Sequence, residues 1–157
     1  MNKSIYILRV LLISFEFLIL LIGLSLYIYF QKNIDHIVQS LELNSDFLNY
    51  IIAAPFALSA FIFKDVRSML VGDKDSTRVL TDWNDYWMLK THTAINLIYT
   101  VIFLLISVVP WFTKLGINDG RNLLLFVTGL CGLLISARDI YASNIRVKEL
   151  IANIRNP

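Results

Sequence analysis

The chain is poor in the residues that build metal and redox sites. It holds one cysteine, Cys131, and two histidines, His36 and His92. A single cysteine closes no internal disulfide, and no Cys/His cluster is present. Charge of one sign is also lacking. Against 14 Lys and Arg stand 12 Asp and Glu, a formal net charge of +2. That balance argues against a basic surface for direct nucleic-acid binding. There is no glycine-rich phosphate loop, no metalloprotease helix motif and no nucleophile elbow. The mixed run around Asp73, Asp75, Asp82 and Asp85 lacks calcium-loop spacing. An enzyme, a metal site and a cofactor are therefore not expected.

The chain is rich in apolar length. Hydrophobic residues make up 57% of it, and the mean hydropathy is +0.64. A soluble domain is about 45–50% apolar. The excess is gathered into blocks. The first runs from Val10 to Phe30, long enough to cross the hydrocarbon core as one helix. It exceeds a signal-peptide core and ends in bulky Tyr27, Tyr29 and Phe30, so an uncleaved span is expected. Further spans are expected over residues 47–63, 93–112 and 122–140. Pro55 should kink the second, and Pro110-Trp111 mark the far end of the third.

Between spans 1 and 2, Ile34, Ile37, Val38 and Leu41 fall on one helical face. They predict a short external amphipathic helix over 33–43. Residues 64–92 form the main polar segment, and residues 141–157 a helical tail. The loop from Thr113 to Arg121 makes spans 3 and 4 an antiparallel hairpin.

Orientation follows from the basic residues. With the N-terminus inside and four alternating spans, only Lys32, Lys114 and Arg121 of the 14 Lys and Arg lie outside. The positive-inside rule selects cytoplasmic N- and C-termini. The fold class expected is an all-α membrane protein. It is a four-helix transmembrane bundle with cytoplasmic helical extensions and little external mass, in a bacterial inner membrane.

Few polar groups sit where chemistry would need them. Glu16 lies inside span 1, where a carboxylate is costly and marks a functional-site candidate. Ser14, His92, Asn96 and a snorkelling Arg138 are its expected partners at similar depth. The functional reading is a proton- or cation-binding carboxylate. The bland reading is a buried polar link between helices. His92 with Thr91, Thr93 and Asn96 makes a polar start to span 3. Gly129, Gly132 and Ser136 line one side of span 4 and permit close helix contact, within a subunit or in a homo-oligomer. Gly23 and Ser25 do the same on span 1. Lys74, Arg78, Trp83, Trp87 and Arg146 are the candidates for binding a cytoplasmic protein partner. Trp83, Tyr86 and Trp87 share a helical face, a pattern that equally serves internal packing.

A carboxylate in the first of four spans resembles the small multidrug resistance transporters. This chain departs from them in its long segment from Lys64 to His92 and its charge bias. Ser14-Phe15-Glu16 also lacks the small-residue surroundings of their glutamate. The layout, with PFALSAFIFKDVR from Pro55 to Arg67, resembles the immunity proteins for pore-forming colicins. It is also similar to the membrane subunits of the Rex and Kiwa phage exclusion and defence systems. These resemblances imply a compact, non-enzymatic membrane protein of antiphage defence or immunity. The alternative is an oligomeric ion channel or proton-coupled transporter using Glu16.

Overall fold

The computed structural model describes residues 3–29, 34, 51, 53–70, 83, 85–113 and 119–155. Every regular element among them is helical. In chain order they are α1 (Lys3–Leu12), α2 (Phe15–Tyr29), α3 (Ala53–Leu70), α4 (Tyr86–Val108) and α5 (Gly120–Arg155). A 3-10 turn over Val109–Phe112 closes α4, with Pro110 at its start. The predicted external helix lies outside the described residues except for Ile34. Lys74, Arg78 and the turn beginning at Gly72 lie outside them as well.

The buried positions explain the packing. Those of α3 are Pro55, Ser59, Ile62, Val66 and Met69. Thr93, Asn96, Thr100, Phe103 and Ser107 recur on α4 in the same rhythm. Alternating steps of three and four make a narrow seam, as in coiled coils. The longest helix, α5, packs against α2, α3 and α4. Ile62, Tyr99, Phe103, Leu133 and Ile140 form the apolar centre. Small residues let the axes approach. A Cβ on Gly129 would stand 2.7 Å from the Phe103 carbonyl oxygen, and one on Gly132 would enter the Phe103 ring. The small-residue face of span 4 thus meets α4 of the same chain.

Many outward-facing positions are apolar. Leu18, Ile22, Ile28, Ile98, Leu105 and Leu134 are all exposed. Two helical stretches, Tyr86–Phe112 and Gly120–Ala152, are long and apolar enough to cross a membrane. A third crossing is available if α1 and α2 count together. The described part of span 2 does not join them, because α3 carries Lys64, Asp65 and Arg67 within its length. Span 4 and its tail are one continuous helix. At about 1.5 Å per residue it outruns a hydrocarbon core of about 30 Å.

The first span differs from expectation. It is broken at Ile13-Ser14, and α1 and α2 meet at a bend of 46°. The physical reason lies in Ser14. Its hydroxyl donates to the Leu11 carbonyl at 3.3 Å and accepts from the Phe17 amide at 3.2 Å. It therefore closes one helix and caps the next. Replacing Ser14 by alanine should cost about 1 kcal/mol, read as an earlier unfolding midpoint in mixed micelles.

Candidate functional site

The break creates the site. A helix start leaves amide donors without intrahelical partners and favours a carboxylate nearby. Glu16 occupies the first turn of α2, and its own backbone N–H reaches its carboxylate. The side chain is only 4% exposed. From α4, Asn96 Nδ2 donates to Glu16 Oε1 at 2.9 Å. One turn further along α4, the Tyr99 hydroxyl donates to the Leu11 carbonyl at 2.7 Å. Two side chains of one helix thus hold both sides of the break.

Asn96 is 8% exposed, and its Oδ1 has no hydrogen-bond partner. A buried acceptor without a donor is unusual and costs free energy. Both Glu16 and Asn96 line a cavity of about 820 Å³ between α1, the break, α4 and the second half of α5. Asp139 of α5 lines the same cavity. Arg9 and Arg146 also border it, and both are exposed. Val10, Ile13, Leu89, Ile140 and Val147 supply apolar walls. The deep part is rich in acceptors, and the guanidinium donors belong to exposed side chains.

The other sequence candidates are placed as follows. His92 is exposed and shares a 2.8 Å hydrogen bond with the Tyr6 hydroxyl. It borders the cavity without meeting Glu16. Arg138 is exposed, and the α5 side chain that lines the cavity with Glu16 is its neighbour Asp139. The adjacency follows from the register of α5, where Ser136, Ala137 and Ile140 are buried and Arg138 faces out. Trp87 packs edge-on against Tyr6, with ring centroids 5.0 Å apart. Trp83 packs on the cluster of Met69 and Val147. Both indoles therefore spend part of their surface inside the chain. Arg146 remains exposed.

Sequence reasoning passed over Tyr6 and Tyr99 and did not bring Asp139 beside Glu16. Tyr99 stands three residues after Asn96, so a shared face was readable in the helical period. Nothing local marked Tyr6 or Asp139 as partners of that face. No group of His, Cys, Asp and Glu among the described residues is arranged to hold a metal ion. Compared with protein-family models, with curated proteins and with solved structures, the chain matches none.

Proposed function

We propose that the chain is a non-enzymatic, multi-pass inner-membrane protein that responds to membrane perturbation and relays it to a cytoplasmic partner. Its setting is antiphage defence or immunity, the kind of system its layout resembles. The N- and C-termini face the cytoplasm in this reading, which takes four crossings with span 2 among them and rests on the distribution of Lys and Arg.

One observation carries the relay. Helix α1 has no buried residue, and its main packing partner is α4. It joins that helix through the Tyr6–His92 and Tyr6–Trp87 contacts. Its apolar Ile5, Leu8 and Leu12 are exposed beside Lys3 and Arg9. That mixture suits a helix lying in the membrane interface. Elements with little burial are those that move. A hinge at Ser14 then couples any motion of α1 to Glu16, two residues on and deep in the bundle.

The test uses a chain with Cys131→Ser and paired spin labels at positions 8 and 90. In proteoliposomes, the α1–α4 distance should change when the bilayer is thinned or depolarised. A distance distribution that stays fixed under both conditions sinks the relay. Charge reversals at Lys74, Arg78 and Arg146 should weaken co-purification of the cytoplasmic partner while insertion persists. Unchanged co-purification counts against docking there.

A further inference from the structure

Helix α1 presents a surface of definite chemistry. It carries Lys3 and Arg9 and no acid. Both cations are exposed, and no residue of the helix is buried. Ile5, Leu8 and Leu12, spaced i, i+3 and i+7, make an exposed apolar stripe along it. Steps of three and four carry the stripe past the bend through Phe15, Leu18 and Ile22 of α2, which are exposed as well. The outer face of α1 is thus continuous with an apolar outer face of the span that follows.

One occupant suits both faces. At about 1.5 Å per residue the 15 residues of α2 rise about 22 Å, short of a hydrocarbon core of about 30 Å. Helix α1, inclined to α2 by 46°, climbs the remainder obliquely and reaches the headgroup level. Lys3 Nζ lies 5.8 Å from the centre of the Trp87 ring, and indole rings favour that level. A soluble protein would cover α1 but not the continuation of the stripe into the span. A second copy packed face to face would bring two acid-free basic helices together.

We propose that the outer face of α1 docks on anionic phospholipid headgroups, so that the position of the helix reports the charge of the leaflet. This rests on the reading of α1 as an interfacial helix and adds the chemistry of the surface it meets. Ile5, Leu8 and Leu12 enter the acyl boundary while Lys3 and Arg9 stay with the phosphates. A neutral leaflet offers the apolar contribution alone. An anionic leaflet adds attraction of about fivefold in binding constant for each cation.

The test uses the full chain with Cys131→Ser and Ser4→Cys, labelled at position 4 with a nitrobenzoxadiazole dye. It is reconstituted in vesicles of phosphatidylcholine alone, or of phosphatidylcholine with an equal part of phosphatidylglycerol. Emission lifetimes give the ratio of embedded to water-exposed label. That ratio should rise by roughly tenfold or more from neutral to anionic vesicles, and the rise should shrink at high salt. Arg9→Gln should cut the rise by roughly fivefold, and Lys3→Gln with Arg9→Gln should abolish it. Lys3→Arg with Arg9→Lys should keep it, which separates lost charge from a folding defect. Leu8→Ser should lower the ratio in both vesicles and leave the rise intact. Equal ratios in the two vesicles overturn the proposal, as does a rise that survives removal of both cations. Shielding in neutral vesicles that grows with protein density also overturns it and assigns the face to a second copy. The relay fails separately, because it is read from the α1–α4 distance under thinning or depolarisation and not from lipid charge.

Discussion

Replacing Gly132 by alanine should destabilise the bundle by about 1–3 kcal/mol, and by leucine more than that. The added Cβ falls within the Phe103 ring. That ring is 0% exposed and is packed in the central apolar cluster, so it has nowhere to retreat. Close-packed interiors transmit such an intrusion to their neighbours. The measurement is the unfolding midpoint of the full chain in mixed micelles. Phe103→Leu should relieve part of the cost in the Gly132→Ala background, because it removes atoms from the point of overlap. Gly23→Ala serves as a contrast. Its Cβ meets the Thr128 side chain, which is small and only half-buried and so can give way more readily than the enclosed Phe103 ring. An equal loss at both glycines would refute the claim that Phe103 is the obstacle.

Removing the Asn96 donor is the second large effect. Asn96→Leu leaves the Glu16 carboxylate in its buried position without its α4 partner. A hydrogen bond to a charged group contributes about 1.5–3 kcal/mol, and the loss should fall in that range. Glu16→Gln should cost less, because its amide oxygen still accepts from Asn96 Nδ2. The decisive arm is the double variant Glu16→Leu with Asn96→Leu. Taking out both partners together should cost less than the sum of the two single leucine variants. Strict additivity would mean that the 2.9 Å contact contributes no coupling. The same variants report on the break, since Asn96 and Tyr99 hold its two sides from one helix.

Both predictions concern α4, and α4 was largely legible. Its apolar length and the Pro110-Trp111 stop were readable from the sequence. A close helix contact on one face of α5 was readable too, from Gly129, Gly132 and Ser136 at helical spacing. Which surface they approached was not. Small residues license contact with any helix, and only the position of Phe103 shows that the partner lies in the same chain. Glu16 and Asn96 were singled out for polarity at comparable depth, and the fold joins them. Arg138 was singled out on the same grounds and faces outward, because depth along a helix says nothing of the direction a side chain points.

The broken first span marks the limit of reading hydropathy. Val10 to Phe30 is apolar enough to look like one rod. Ser14 is a good cap wherever a helix starts, but a serine inside an apolar run also bonds harmlessly to its own helix, as Ser25 does to the Leu21 carbonyl at 2.8 Å. The choice between the two is made elsewhere. The Tyr99 hydroxyl satisfies the Leu11 carbonyl, and Asn96 receives the Glu16 side chain. Those donors reach the break from another helix and add to the local bond of the Ser14 hydroxyl to Leu11.

The sequence by itself determined an all-helical chain with apolar segments of membrane-crossing length. It also determined the sparse list of polar groups inside them, and the reason is local. Hydropathy, helical period and small-residue spacing are properties of neighbours along the chain. Tertiary structure alone decided that the first segment bends at Ser14 and that Asp139 rather than Arg138 lines the cavity beside Glu16. It alone leaves Asn96 Oδ1 buried without a partner. Those outcomes depend on donors and acceptors some 80 residues apart in the chain, such as Asn96 and Glu16. No local pattern encodes a hydrogen bond across that distance.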